Sequence, residues 1–268
     1  MQELRVYQSL WAMEQRRPGV KEKPLEEQFE EIRSAGFTGV CIDPSVAEID
    51  GYGEVGSLCE RFGMGCMVNA FPYKVNELLP ILEFAKSLNA CLVNVIGGVM
   101  PLTVAGAIPV IYRWMEEAES MGLPLLFETH RDSLLNDLFF TLQLLDEVPD
   151  LRLCADLSHF VVDRELRIPL NQRDQGFMDR VLCSSDCFQG RVANREQVQV
   201  QIDFPQHLEW VETFKAWWRT GIQGWRERSG PDDTLYFLCE LGPPPYAITD
   251  AERNELSNRF QEALTIKS

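Results

Sequence analysis

The sequence predicts a single-domain (β/α)8 TIM barrel spanning residues 1–268. Three observations predict it. Short apolar runs alternate with helical stretches from end to end, eight of each. The apolar runs are nearly continuous, as parallel strands covered on both faces should be. The length of 268 residues leaves no remainder over a barrel of roughly 250. Right-handed βα crossovers repeated eight times close on themselves. An open doubly wound sheet is the alternative, but the first βα turn holds no glycine-rich phosphate loop.

The elements follow in order. Arg5 to Trp11 reads as the first strand. Leu25 to Ala35 has Leu25, Phe29 and Ile32 at helical spacing and stops at Gly36. "FTGVCID" is the second strand, followed by a short helix near Val55 to Arg61. "GMGCMVNAF" and "ACLVNVIGG" are strands three and four, separated by an amphipathic helix from Asn76 to Leu88. A long helix near Ala105 to Met121 leads into the fifth strand, which ends at Glu128. Leu134 to Glu147 is the next helix, and the sixth strand ends at Asp156. Val161 to Asp179 is irregular with some helix, before the seventh strand, which ends at Gln189. A tryptophan-rich helix from Pro205 to Arg228 precedes the eighth strand, ending at Glu240. Thr249 to Leu264 is expected to close the chain as a helix, with Thr249 and Glu252 forming a capping box.

A composition of 45% hydrophobic and 25% charged residues is that of a well-cored globular chain. The net charge of −16 disfavours nucleic acid and anionic membranes as partners. No apolar run approaches the roughly 20 residues that span a bilayer. The chain runs from "MQELRVYQ" directly into a strand, so no signal peptide is expected. All of the eight cysteines except Cys59 fall in strand-like runs, and no CxxC pair occurs. They read as reduced, structural thiols, which points to the cytoplasm.

Four runs in the second half end on side chains able to bind a metal: Glu128, Asp156, Gln189 and Glu240. Buried strands rarely end on carboxylates without a reason, because an unpaired buried charge is costly. Side chains alternate faces along a strand. Leu126 with Glu128, Cys154 with Asp156, Cys187 with Gln189 and Leu238 with Glu240 therefore share a face. If the first of each pair points into the barrel, the second does so nearer the C-terminal rim, where barrel chemistry sits. Three carboxylates and an amide suit manganese, magnesium or cobalt better than zinc.

In its strand order, and in "FETH" around Glu128, "DLSH" from Asp156 to His159 and "LCELG" around Glu240, the chain resembles the xylose-isomerase-like TIM barrels. These include sugar isomerases, epimerases and related dehydratases. The resemblance implies one divalent metal held from strands five to eight, here by Glu128, Asp156, Gln189 and Glu240. Many epimerases of the family have histidine where this chain has Gln189, while some dehydratases have glutamine. It also implies that His159, expected at the start of a loop, contacts substrate or moves a proton; the alternative is that it orients a ligand.

Further candidates line the expected mouth. His130 either binds a substrate hydroxyl or plugs the barrel, and Arg191 either holds an anionic or hydroxyl-rich substrate or pairs with a carboxylate. Gln8, Trp11, Asn69 and Asn94 are candidate substrate contacts, and His207 reads as a surface residue. Trp210, Trp217, Trp218 and Trp225 are core or a subunit interface, and they suggest a homo-oligomer. The "GPPPY" run after Glu240 either shapes the rim or spaces strand from helix.

The function expected first is a metal-dependent isomerase or epimerase acting on a small, sugar-like ketone or aldehyde. In it Glu128 and Glu240 exchange a proton alpha to the carbonyl. A lyase on the same scaffold comes second: a dehydroshikimate-dehydratase-like or keto-glycoside-cleaving enzyme. A multi-metal nuclease is disfavoured by the count of three histidines, and a non-catalytic barrel subunit is the remaining reading.

Overall fold

A computed structural model describes residues 1–17 and 19–268. Eight strands form one closed parallel barrel in chain order. They are β1 Glu3–Ser9, β2 Gly39–Ile42, β3 Gly65–Ala70, β4 Leu92–Val95, β5 Leu125–Glu128, β6 Leu153–Ala155, β7 Ser185–Gln189 and β8 Thr234–Cys239. Closure is made by β1 on β8, in register from Glu3 opposite Thr234 to Gln8 opposite Cys239. The helices are α1 Leu25–Ser34, α2 Val55–Phe62, α3 Leu78–Ser87, α4 Val104–Met121, α5 Leu138–Glu147, α6 Leu157–Asp163, α7 Gln172–Cys183, α8 Leu208–Arg228 and α9 Arg259–Lys267. The expected fold is the observed one.

Local chemistry sets the helix ends. Thr103 begins α4 by accepting the amide of Gly106, and Asp137 begins α5 by accepting that of Phe140. Gly122 ends α4 at φ +68, a left-handed conformation that an L side chain resists.

One side chain per strand fills the barrel: Tyr7, Cys41, Met67, Leu92, Leu126, Cys154, Cys187 and Leu238. A separate, larger cluster fills the layer between strands and helices. Tyr7 is the large member inside the barrel. A Cβ at Gly39 or Gly65 would collide with its side chain, so glycine on β2 and β3 admits a tyrosine at the barrel's base. Its hydroxyl lies 3.4 Å from Cys91 Sγ.

Several expectations are corrected. The last helix begins at Arg259, capped by Asn258, not at Thr249. Asp250 accepts the amides of Glu252 and Asn254, so a side-chain turn replaces the expected capping box. Trp210, Trp217, Trp218 and Trp225 are all buried inside the chain. Trp218 packs edge-on against Phe237 at 5.3 Å. They therefore lend no support to a subunit interface. His207 is buried and its Nδ1 lies 2.7 Å from the Gln201 carbonyl, so it is not a surface residue. Cys183 is exposed on α7 rather than in a strand. All eight cysteines are free thiols. Among the described residues no helix is long and apolar enough to cross a membrane.

Glu262 on α9 supplies a pH test of this packing. Burial pushes its carboxyl up to about 7, against the bonds from Ser257 and the Ile202 amide. The folded state thus holds this proton more tightly than the unfolded state, whose value is near 4.5. The stability it contributes is full below that lower value and is lost as pH rises through about 7. Glu262→Gln should flatten the fall in stability between pH 5 and 8 by at most about 3 kcal/mol. Denaturant melts of both proteins at the two pH values check it, and parallel slopes would exclude this role.

Candidate active site

Two residues beyond each interior side chain, toward the C-terminal rim, the next inward position on every strand is polar. These residues are Ser9, Asp43, Asn69, Asn94, Glu128, Asp156, Gln189 and Glu240. All are buried except Asp43, which is half-buried. Glu128, Asp156 and Glu240 each offer a carboxylate oxygen, and these atoms lie within 4.8 Å of one another. The strand parity read from the sequence therefore has the four expected ligands in one ring.

Amides tie the acids together. The Asn69 amide donates to Asp43 Oδ1 at 2.7 Å and to Glu240 Oε1 at 3.1 Å. The Asn94 amide donates to Asn69 Oδ1 at 2.9 Å and also to Glu128 Oε2. The Gln189 amide donates to Glu128 Oε2 at 2.5 Å. Asp156 caps α6 and accepts the Ser158 amide at 3.0 Å. Asn69 and Asn94 thus hold carboxylates in place and do not line the open cavity.

The resident cation is Arg191. It is buried and donates through Nη2 to Glu240 Oε2 at 2.9 Å and through Nε to the Glu240 carbonyl at 3.0 Å. Its Nη1 lies 3.4 Å from Asp156 Oδ2. The salt bridge open in the sequence reading is therefore present. Its guanidinium sits 5.7 Å from the Trp11 ring and 5.1 Å from the Tyr246 ring.

The electrostatics follow from crowding. Burial pushes Glu128 well above the usual carboxylate range, and Glu240 adds to it by repulsion. Glu240 is pushed up to about 8 by burial, with Arg191 opposing. Burial also raises Asp156, and it raises Asp43 to about 6. His130 is lowered to about 3 by burial and by Arg191. His159 is lowered well below its usual value by burial and by His130. Both imidazoles are neutral, with ring centroids 4.0 Å apart. His159 lies in α6 rather than a loop, 3.5 Å from Asp156 Oδ2 and behind His130.

A cavity of about 410 Å³ opens above the ring. Glu128, Glu240 and Asp43 are on its floor, and Trp11, Phe71, Tyr73, Ile96, His130, Arg191 and Tyr246 are on its walls. Gly242 brings Trp11 and Tyr246 together, because a Cβ there would meet both rings. Gln199 clamps that turn, donating to the Gly242 carbonyl at 3.0 Å and accepting its amide at 2.7 Å. The "GPPPY" run therefore shapes the rim.

The residues expected from sequence gather at the mouth except Gln8, while Asn69 and Asn94, expected as substrate contacts, lie beneath the cavity. Gln8 is in register with Val40 and Cys239, which belong to the helix-side core, so it faces away from the cavity. Asp43 and Tyr246 were missed. Asp43 shares parity with Cys41 in "FTGVCID", a legible signal; Tyr246 sits in a loop and has none.

The donors present suit a dication. Four carboxylates face one guanidinium, which leaves up to three uncompensated negative charges when all are ionised. Buried Asp156 Oδ2 and Gln189 Oε1 have no hydrogen-bond partner among the described residues. Buried oxygens without a hydrogen bond, beside two further carboxylates, suit a cation or a proton.

No protein-family model matches this chain. No curated protein matches it either. Among solved structures it is similar to a D-allulose 3-epimerase from Methylomonas sp., with TM-score 0.64 and 11% identity over 99% of this chain and 95% of that one. It is also similar to the probable 3-DHS dehydratase of petrobactin synthesis from Bacillus anthracis, with TM-score 0.60 and 11% identity over 98% and 97%. A third is a xylose isomerase-like TIM barrel protein from Mycobacterium smegmatis in complex with magnesium, with TM-score 0.57 and 13% identity over 98% and 96%. The chain has the fold of the xylose-isomerase-like TIM barrels.

Proposed function

We propose that this protein is a divalent-metal-dependent isomerase or epimerase of a small polyhydroxylated ketone or aldehyde. The observation that carries the reading is the convergence of Glu128, Asp156 and Glu240 at the barrel's C-terminal mouth. With Gln189 they would hold the ion, and oxygen donors favour magnesium, manganese or cobalt over zinc. When bound, such an ion supplies Lewis acidity that polarises a substrate carbonyl.

The chain's own groups supply the rest. Glu128 and Glu240 stand on the cavity floor, where one takes the proton alpha to the carbonyl and the other returns it. Neutral His130 on the wall binds a substrate hydroxyl. His159 packs against the His130 ring at 4.0 Å, and Ser158 holds Asp156. Trp11 and Tyr246 shield the site from water and present flat faces to the C–H side of a sugar. A lyase on the same scaffold is the second reading. It is favoured by the aromatic walls at Trp11, Phe71, Tyr73 and Tyr246, which suit a ring-bearing substrate.

Elemental analysis should find about one equivalent of metal in the purified protein. Glu128→Ala and Glu240→Ala should each lose it and lower turnover by roughly 10²–10⁴-fold. Full metal in both variants would overturn the ligand set. In deuterated water an isomerase returns product of conserved skeleton mass carrying one solvent deuterium, whereas a dehydratase product is lighter by one water. Gly242→Ala should displace Trp11 and Tyr246 and raise KM several-fold while metal content stays at the wild-type level. Unchanged KM would show that the two rings do not contact substrate.

A further inference from the structure

Three guanidiniums meet two rings at the rim of the cavity. Arg16 lies 5.9 Å from the Trp11 ring, and Arg191 lies against both Trp11 and Tyr246. Arg131 lies 5.4 Å from the Tyr246 ring. The rings themselves meet edge to face at 5.2 Å. Such a row is unexpected in a chain with 41 acidic and 25 basic residues.

The three cations differ in pairing. Arg16 is bound to Glu14 at 2.6 Å, and Arg191 to Glu240 and Asp156. Arg131 has no carboxylate within 4.0 Å among the described residues, and its hydrogen bond is a weak one, from Nη2 to Tyr246 Oη at 3.4 Å. It is half-buried and lines a second recess, of about 280 Å³. Tyr246 forms a wall of both this recess and the main cavity, so the two adjoin. The recess has one charged side chain, Arg131, and no acid; Gln197, Gln199 and Tyr246 supply its polar side chains. The main cavity is acidic on its floor, and Glu48 stands on its wall. Arg16 and Arg191 also stand on that wall, but each is already paired with a carboxylate, so Arg131 in the recess is the cation left to meet an anion. A guanidinium steadied on a ring face is a fitting receptor for carboxylate or phosphate oxygens.

We propose that the substrate carries a terminal anionic group, and that this end passes Tyr246 to be held by Arg131 while its carbonyl end lies over the acid floor. This inference rests on the isomerase reading for the orientation of the carbonyl end. It defines the substrate class as a sugar acid or a sugar phosphate rather than a neutral sugar.

The test compares three ketoses of similar skeleton on the magnesium-loaded protein by calorimetry: D-fructose, D-fructuronate and D-fructose 6-phosphate. At least one anionic ketose should bind roughly ten-fold more tightly than D-fructose, since a charge-assisted bond adds that much. The tighter of the two identifies carboxylate or phosphate. Arg131→Gln should bring the anionic-to-neutral ratio close to one, a comparison made within each protein and so insensitive to a general loss of stability. Equal binding of all three, an unchanged ratio in Arg131→Gln, or no binding of any ketose would overturn the proposal. Metal analysis of Glu128→Ala and Glu240→Ala separates the two claims. Metal lost with no anion preference fails this inference alone, and anion preference with metal retained fails the ligand set alone.

Discussion

Buried negative charge in excess of its counter-charge is the constraint around which the mouth of this barrel is built. Glu128, Asp156 and Glu240 share one small volume with Asp43 beside them. Arg191 answers one of those charges. The amides of Asn69, Asn94 and Gln189 spread some of the rest by donating to carboxylate oxygens. Hydrogen bonds of this kind orient carboxylates without neutralising them. What remains is settled by protons or by a cation, and either choice is chemistry rather than packing. A proton on Glu240, whose affinity is raised to about 8, is mobile near neutral pH. A dication uses the same oxygens as ligands. On the proposed reading the same pair of glutamates would serve as metal ligands and as proton-transfer groups.

The barrel makes that concentration of charge affordable by keeping it at one level. The ring of eight interior residues below the acids contains only apolar side chains, thiols and Tyr7. It closes the base of the pocket. The cavity above the acids is lined at its rim by Trp11 and Tyr246, whose rings meet edge to face. The clamp between Gln199 and Gly242 fixes the loop that carries Tyr246. A surface loop is thereby made as well defined as a strand end, and it can present a ring to both the cavity and the adjoining recess.

What could be read in the sequence was whatever a strict period encodes. Strand alternation gives an inward face, and Leu126, Cys154, Cys187 and Leu238 marked it well enough to place Glu128, Asp156, Gln189 and Glu240 at the barrel mouth from parity alone. The same rule applied to "FTGVCID" would have placed Asp43. Gln8 was misplaced because the large inward residue of β1 is Tyr7, a polar-tipped ring that does not read as core until Gly39 and Gly65 are seen to make room for it. The tryptophans of α8 were ambiguous because helical spacing shows that a face is apolar, not what covers it. Phe237 of β8 is part of what covers it. Tyr246, Arg131 and the end of the chain were not legible, since loops have no period. There Asp250 settled the outcome by a side-chain turn that competed with the expected cap.

Arg191 shows how far the site depends on a cation that cannot move. Its Nε is held by the Glu240 carbonyl while its two terminal nitrogens face Glu240 and Asp156. A lysine would offer the same charge but no such fork, and its ammonium could swing to whichever acid was most exposed. With the guanidinium pinned, the charge it cancels is constant, and the imbalance left for a second cation is constant too. Up to three uncompensated carboxylates call for a doubly charged ion and leave about one negative charge over. On the proposed reading that residual charge would fall to the base on the cavity floor. The lowered proton affinity of His130 and His159 belongs to the same arrangement, because burial, with Arg191 adding to it, disfavours a further positive charge on either ring. The fixed arginine therefore sets how many charges are free to act and which groups carry them.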